Sequence, residues 1–304
     1  MPDGSSLTRT ELDTQPACWR RSAEVAATLD GALPAHGERV AVVGCGTSWF
    51  IAQAYAALRE SYGAGETDAW AASEFPATRR YDRVVAISRS GTTSEVLRLL
   101  TGLDPAVPTV ALTADPASPL ADAVPRLVLL DYAEERSVVQ TRFATSALAL
   151  LRAALGEDLG QAIADAERAV GEELPAAALA AGQLTFLGTG WTYGLAQEAA
   201  LKLREAAGAW TEAYPAMEYR HGPVSITGPG RVVWAFGALP NGLDAEVAAT
   251  GGTLITGSDP ARSARPLDPM ADLVRAQRLA VALAALAGRD PDRPRHLTRS
   301  VILD

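Results

Sequence analysis

The stretch Val84-Val85-Ala86-Ile87-Ser88-Arg89-Ser90-Gly91-Thr92-Thr93-Ser94-Glu95 decides the fold. Four consecutive apolar residues read as a strand buried on both faces, and a helical pattern begins near Ser94 and Glu95. The turn between them offers hydroxyl donors, unpaired backbone N–H groups and the positive end of a helix dipole, which together make a cradle for an anion such as phosphate. Alone, the pattern fits an ordinary strand-to-helix turn with a Ser/Thr N-cap about as well. The rest of the chain tips the balance.

Upstream, Arg39-Val40-Ala41-Val42-Val43 is another buried strand, followed by Gly44-Cys45-Gly46-Thr47-Ser48 and a helix over Trp49 to Arg59. Downstream, Pro108 to Leu112 and Arg126 to Leu130 read as two more strands, with a helix start at Asp115 to Pro119 between them. Strands alternating with helices of this length imply a parallel sheet covered on both faces, a doubly wound α/β unit. Residues 1–15 read as a loosely ordered arm and Pro16 to Leu33 as a lead-in helix. Thr141 to Ala154 is a strongly apolar helix, and Gly160 to Leu174 a more polar one. The same grammar restarts with Leu184-Thr185-Phe186-Leu187, Gly188-Thr189-Gly190 and a helix from Thr192 to about Ala206.

A shift of 144 residues lays Gly44 on Gly188, Gly46 on Gly190, Ala52 on Ala196, Gln53 on Gln197 and Ala56 on Ala200. Two copies of one fold are expected. The second copy's strand Arg231 to Phe236 runs into Gly237-Ala238-Leu239-Pro240-Asn241-Gly242, which lacks hydroxyls, so one phosphate site per chain is expected. The expected organisation is an arm and lead-in helix over 1–33, a phosphate-binding domain over 34–160, a second domain with the catalytic helix over 161–289, and a tail over 290–304.

The 304 residues carry a formal net charge of −9 and a sequence pI near 5.0, which argues against a nucleic-acid binder. Cys18 and Cys45 are too few for a disulfide framework or a zinc site. The polar N-terminus has no signal-peptide pattern, and the longest apolar run, Leu279 to Gly288, is about half of a bilayer crossing. A cytoplasmic protein without membrane contact is expected.

Reactive groups concentrate between Gln197 and Pro223. Glu198, Lys202 and Glu205 stand at i, i+4 and i+7, along one helix face, where a solvated face with salt bridges is the commoner explanation. His221, one of three histidines, immediately precedes Gly222-Pro223. It is a candidate for proton transfer to a sugar oxygen, or merely a helix C-terminal cap.

These residues resemble a known family. The chain looks like a tandem pair of sugar isomerase (SIS) domains, most similar to the isomerase half of glucosamine-6-phosphate synthase without its glutaminase domain. The resemblance rests on Gly44 to Ser48, Ser88 to Thr93, Glu198 to Glu205 with His221-Gly222-Pro223, and Asp290 to Asp304. It implies two doubly wound, three-layer αβα domains of flavodoxin-like fold without nucleotide, and no cofactor or metal. Gly46, Thr47, Ser48, Ser88, Arg89, Ser90 and Thr93 would hold the phosphate of a hexose 6-phosphate. Arg89 stands where the synthase has glutamine. Val138 and Gln140 match a sugar-contacting loop, with Gln140 in place of serine.

By the same resemblance Glu205 shuttles a proton between C1 and C2, and Lys202 takes part in proton abstraction. His221 opens the ring from across the interface of a homodimer. Arg299 occupies the place of a Schiff-base lysine, but a guanidinium is not a usable imine-forming nucleophile. The implied activity is a phosphosugar isomerase, or a deaminase or deglycase of amino-sugar phosphates. The alternatives are a non-catalytic sugar-phosphate-binding regulator, or a subunit working with a separate glutaminase.

Overall fold

The computed structural model describes residues 6–258 and 265–303. In chain order, helices α1 (Leu7–Asp13) and α2 (Gln15–Ala26) precede strand β1 (Val40–Gly44), α3 (Thr47–Ser61), β2 (Thr67–Ala71) and β3 (Arg83–Ile87). Next come α4 (Ser94–Gly102), β4 (Thr109–Thr113), α5 (Leu120–Ala123), β5 (Leu127–Leu129), α6 (Arg142–Ala154), α7 (Gly160–Ala169) and α8 (Ala176–Leu179). The second strand series is β6 (Gln183–Gly188), α9 (Thr192–Ala207), β7 (Thr211–Pro215), β8 (Arg231–Phe236), α10 (Leu243–Ala249), β9 (Thr253–Thr256) and α11 (Pro269–Leu286). The described residues fall into two compact units. One draws on Ala17–Arg136, Gln140–Leu159 and 298–303, the other on 6–16, Ser137–Val139, 160–258 and 265–297.

The first unit holds a five-stranded parallel sheet in the order β2-β1-β3-β4-β5. The apolar runs supply its centre because strands buried on both faces cannot alternate with polar residues. Ala41, Val43, Val84, Ala86 and Ala111 share one face and pack with Val96 and Leu100 of α4 and Leu120 of α5. The second unit holds a four-stranded parallel sheet, β7-β6-β8-β9. Leu187, Val233 and Ala235 on one of its faces pack with Leu243 and Val247 of α10.

The internal repeat survives in the strand register. Val40 pairs with Thr67 in the first sheet and Leu184 with Thr211 in the second, and both members of the pair are displaced by the same 144 residues. The paired glycines do equivalent work. A Cβ on Gly44 would come within 2.7 Å of the Ser48 backbone, and one on Gly188 within 2.3 Å of the Thr192 carbonyl oxygen. Each strand end thus lets the first turn of its helix approach closely. Gly46 and Gly190 both take a positive φ, +54° and +57°, which L side chains rarely adopt.

Three strands were not foreseen, and two of them have a common cause. β2 and β7 are edge strands, half-buried along most of their length. An edge tolerates Asp68, Glu212 and even Pro215, so neither reads as an apolar run. The third, β9, is a four-residue strand. Residues 1–15, expected as a loose arm, contain α1. Ser6 caps this helix, and the Asp292 carboxylate accepts the Leu7 and Thr8 amides, each at 2.7 Å. Residues 1–5 of the expected arm, 259–264 of the expected second domain and 304 of the tail lie outside the described residues. Among the described residues, no helix is long and apolar enough to cross a membrane.

Candidate functional site

In the first sheet, β1 leads to β2 on one side and the chain then crosses back to β3 on the other. This is a topological switch point, where open α/β sheets leave a crevice beyond the carboxyl ends of their strands. Val43 pairs with Ala86, so the loops leaving β1 and β3 start side by side. Of the sequence-predicted phosphate residues, Gly46 lies on one of these loops with Thr47 and Ser48 opening α3 directly after it, and Ser88, Arg89, Ser90 and Thr93 lie on the other.

The second loop is held by its own hydroxyls. Ser88 Oγ accepts the Gly91 amide at 3.2 Å, and Ser90 Oγ accepts the Thr92 hydroxyl at 3.0 Å. Gly91 has φ +61°, and a Cβ there would lie 2.1 Å from Ser118 Oγ. Only glycine fits. Ser90 and Thr92 line a cavity of about 580 Å³ together with Asp115, Asp131, Glu134, Arg299 and Ser300. Ser88, Arg89, Thr47 and Ser48 are buried, and Thr93 stands half-buried as the N-cap of α4.

Arg89 turns inward. Its guanidinium donates to the Arg299 carbonyl at 2.9 Å and lies 3.9 Å from the Glu135 carboxylate. Glu135 in turn accepts the amides of Thr141, Arg142 and Phe143 at 2.6, 2.9 and 3.3 Å, and thereby caps α6. The charge that Arg89 brings is therefore matched by a carboxylate. The C-terminal segment runs along the same loop. Thr92 Oγ1 lies 2.9 Å from Ser300 Oγ, the Ser94 amide donates to the Val301 carbonyl at 3.2 Å, and the Leu303 amide to Ser94 Oγ at 2.8 Å. Arg299 itself is ion-paired with Glu134.

The second unit holds the other cluster. Along α9, Lys202 Nζ lies 2.5 Å from Glu205 Oε2 and 3.6 Å from Glu198 Oε1. Glu198 is 0% and Lys202 1% exposed, whereas the Glu205 side chain keeps 19% of its surface in contact with solvent. A solvated face is ruled out. Glu205 opens onto a cavity of about 490 Å³, and His221 lies exposed at the end of a 3-10 turn, Glu218–His221. Among the described residues, the His221 side chain makes no hydrogen bond or ion pair. Val138 belongs to this unit and Gln140 to the other. Both are half-buried, and Gln140 Oε1 has no hydrogen-bond partner among the described residues.

No protein-family model matches the chain. The glutamine–fructose-6-phosphate aminotransferase (isomerizing) of Bacteroides thetaiotaomicron is 26% identical over 322 positions, taking in 88% of this chain and 52% of the relative. Among solved structures, the glucosamine-6-phosphate deaminase of Thermotoga maritima superimposes with a TM-score of 0.81 at 24% identity, covering 98% of this chain and all of the other. The C-terminal domain of the Francisella tularensis glucosamine-fructose-6-phosphate aminotransferase gives 0.81 at 23%, covering 96% of this chain and all of that domain. The chain has the fold of the sugar isomerase (SIS) proteins. It spans about half the length of the curated relatives it matches.

Several residues of this SIS protein's candidate site were not singled out from sequence. Thr92 lies within the quoted loop but is not among the phosphate residues named from sequence, although its hydroxyl stands between those of Ser90 and Ser300. Glu135 carried no local signal, since its partners are backbone amides several residues ahead. Arg293 and Arg295 face the Glu205 cavity because the segment after α11 returns to the end of α9, a long-range contact that spacing cannot reveal.

Proposed function

We propose that this SIS protein transfers a proton between C1 and C2 of an opened hexose or hexosamine 6-phosphate. It acts either as a phosphosugar isomerase or as a deaminase or deglycase that releases an amine by the same transfer. The observation that carries this reading is the Lys202–Glu205 pair. A carboxylate held 2.5 Å from a buried ammonium has a fixed position, and one carboxylate beside an enediol serves both carbons. The step itself needs neither an organic cofactor nor a metal.

In this reading Ser88, Ser90, Thr93, Thr47 and Ser48 anchor the phosphate, while Glu205 and Lys202 serve the reacting carbons. His221 opens the ring on a partner subunit of a homodimer. Its exposure and lack of partners within its own chain support that assignment. The name of the Bacteroides thetaiotaomicron relative supports fructose 6-phosphate as a member of the substrate class. Arg299 has no imine role here, because a guanidinium paired with Glu134 is no nucleophile. Two free cysteines fit a cytoplasmic enzyme.

The test is incubation of the full chain with fructose, glucose and glucosamine 6-phosphates in deuterated water. Deuterium entering C1 or C2 is expected with at least one sugar phosphate and is expected to vanish with Glu205→Gln. A protein that binds these sugars without any exchange would be a sensor, and the enzymatic reading would fail.

A further inference from the structure

Glu205 shares its cavity of about 490 Å³ with a segment of unusual backbone. After α11 the chain returns to the end of α9 and is fixed there at several points. Arg289 donates to the Ala207 carbonyl, the Asp292 carboxylate accepts the Leu7 and Thr8 amides at 2.7 Å each, and Pro291 and Pro294 are buried. His296 follows with φ +61°, the only positive value at a non-glycine among the described residues. Histidine enters this region more readily than most L residues do, but the conformation is still sparsely populated and is held only where its surroundings over-determine it. The side chain is exposed, lines the Glu205 cavity and makes no hydrogen bond or ion pair among the described residues.

The cavity's other groups are less suited to passing a proton. Arg204, Arg289, Arg293 and Arg295 line it too, but a guanidinium keeps its proton at any accessible pH. Asp290 Oδ1 accepts the Asp292 amide at 2.9 Å, and Lys202 is 1% exposed and paired with Glu205. Histidine is the side chain that gives and takes a proton near neutrality.

Isomerisation asks for a second such group. Interconverting an open-chain aldose and ketose moves two protons, one bound to carbon and one bound to oxygen. A single carboxylate serves the carbon-bound proton and leaves the other without a carrier. We infer that His296 is a second proton-transfer residue of this site, carrying the oxygen-bound proton between O1 and O2 while Glu205 carries the carbon-bound one. This rests on the proton-transfer reading of Glu205 given above, and it needs only that C1 and C2 of the sugar enter this cavity of the second unit.

The cycle balances without an oxidant. Glu205 takes the proton from C2 of the aldose, a C1–C2 double bond forms, and the electron pair of the C1=O1 bond takes a proton from the His296 imidazolium. The product is an enediol. The neutral imidazole then takes the O2 proton, the C2=O2 bond forms, and C1 recovers the proton from Glu205. Both side chains end as they began, and the sugar has become the ketose.

The test is His296→Gly beside His296→Asn, assayed for interconversion of fructose and glucose 6-phosphates and for deuterium exchange with these sugars and glucosamine 6-phosphate. Glycine takes φ +61° without strain, so the Tm of His296→Gly is expected to equal or exceed that of wild type. Its kcat is nevertheless expected to fall about a hundredfold or more with KM little changed, and imidazole added to the buffer to restore part of the rate. Asparagine also tolerates this backbone and forms hydrogen bonds but carries no proton, so His296→Asn is expected to be as slow as the glycine variant. A wild-type rate in either variant overturns the inference. So does a loss in His296→Gly that imidazole leaves unrelieved, which makes His296 a structural residue. Both results leave the Glu205 reading standing when Glu205→Gln still abolishes exchange. Absence of exchange with every sugar in the wild type overturns that reading, and this inference with it.

Discussion

Lys202 Nζ lies 2.5 Å from Glu205 Oε2, within one turn of α9, and the same ammonium sits 3.6 Å from Glu198 on the preceding turn. The two carboxylates are not equivalent. Glu198 is fully buried and Glu205 borders a cavity, so only Glu205 can meet a substrate. Glu205→Gln is expected to lower C1–C2 deuterium exchange by about 10²- to 10⁴-fold with the fold preserved. Lys202→Met is a poor probe of chemistry, because it removes a buried ammonium that faces buried Glu198, at a cost of roughly 3–5 kcal/mol. Wild-type exchange rates in the glutamine variant, measured by NMR, would remove Glu205 from the mechanism.

Gly91→Ala tests whether the hydroxyl loop needs its glycine. The replacement forces an L residue to φ +61° and drives its Cβ into Ser118, whose Oγ would be 2.1 Å away. The two penalties together are expected to cost roughly 2–5 kcal/mol in urea unfolding. Adding Ser118→Gly removes the clash but not the φ penalty, so the double variant is expected to recover part of the loss. No recovery would mean that the clash with Ser118 contributes nothing.

What the sequence revealed follows from what each element has to satisfy. β1, β3, β4 and β8 are legible as apolar runs because parallel strands at a sheet centre bury both faces. Gly44 and Gly188 are legible because a close helix approach admits no other residue. The edge strands β2 and β7 are hidden because an exposed edge places no such demand on Asp68 or Pro215. The i, i+4, i+7 spacing of Glu198, Lys202 and Glu205 gives the shared face but not its burial, which depends on packing contributed from elsewhere in the chain. The inward turn of Arg89 is equally invisible, since its partner Glu135 is brought near by the fold.

Glu135→Gln probes that hidden residue. The carboxylate is 0% exposed, accepts three backbone amides and the Thr141 hydroxyl at 2.8 Å, and lies 3.9 Å from Arg89. An amide is a weaker acceptor and takes away the carboxylate facing Arg89, so a loss of roughly 2–4 kcal/mol is expected. Urea unfolding reads it. A change within about 0.5 kcal/mol would mean that this cap is dispensable.

Acid stability has an identifiable contributor in Asp165. Burial pushes its carboxyl up, but hydrogen bonds from Arg265, the Asp268 amide and Arg168 outweigh that and hold it below its ordinary value. A group depressed in the folded state contributes stability above its unfolded pKa of about 3.9, and the contribution is lost as pH falls through the folded value. Wild type is expected to exceed Asp165→Asn in Tm at pH 7, with the gap narrowing below about pH 4. A gap independent of pH would assign the difference to lost packing or hydrogen bonding instead of charge.

His221 provides a test of assembly that does not depend on knowing the sugar. Glu205→Gln and His221→Ala are each expected to abolish exchange when prepared alone. If the histidine serves the partner's site, a heterodimer of the two variants holds one site with both defects and one with neither. Mixing after reversible dissociation is then expected to restore about a quarter of the wild-type rate, because half of the randomly paired dimers are mixed and each carries one intact site. If His221 instead acts within its own chain, every site in the mixture lacks one group and nothing is restored. The readout separates the two arrangements even if the residual rates of the single variants are small but measurable.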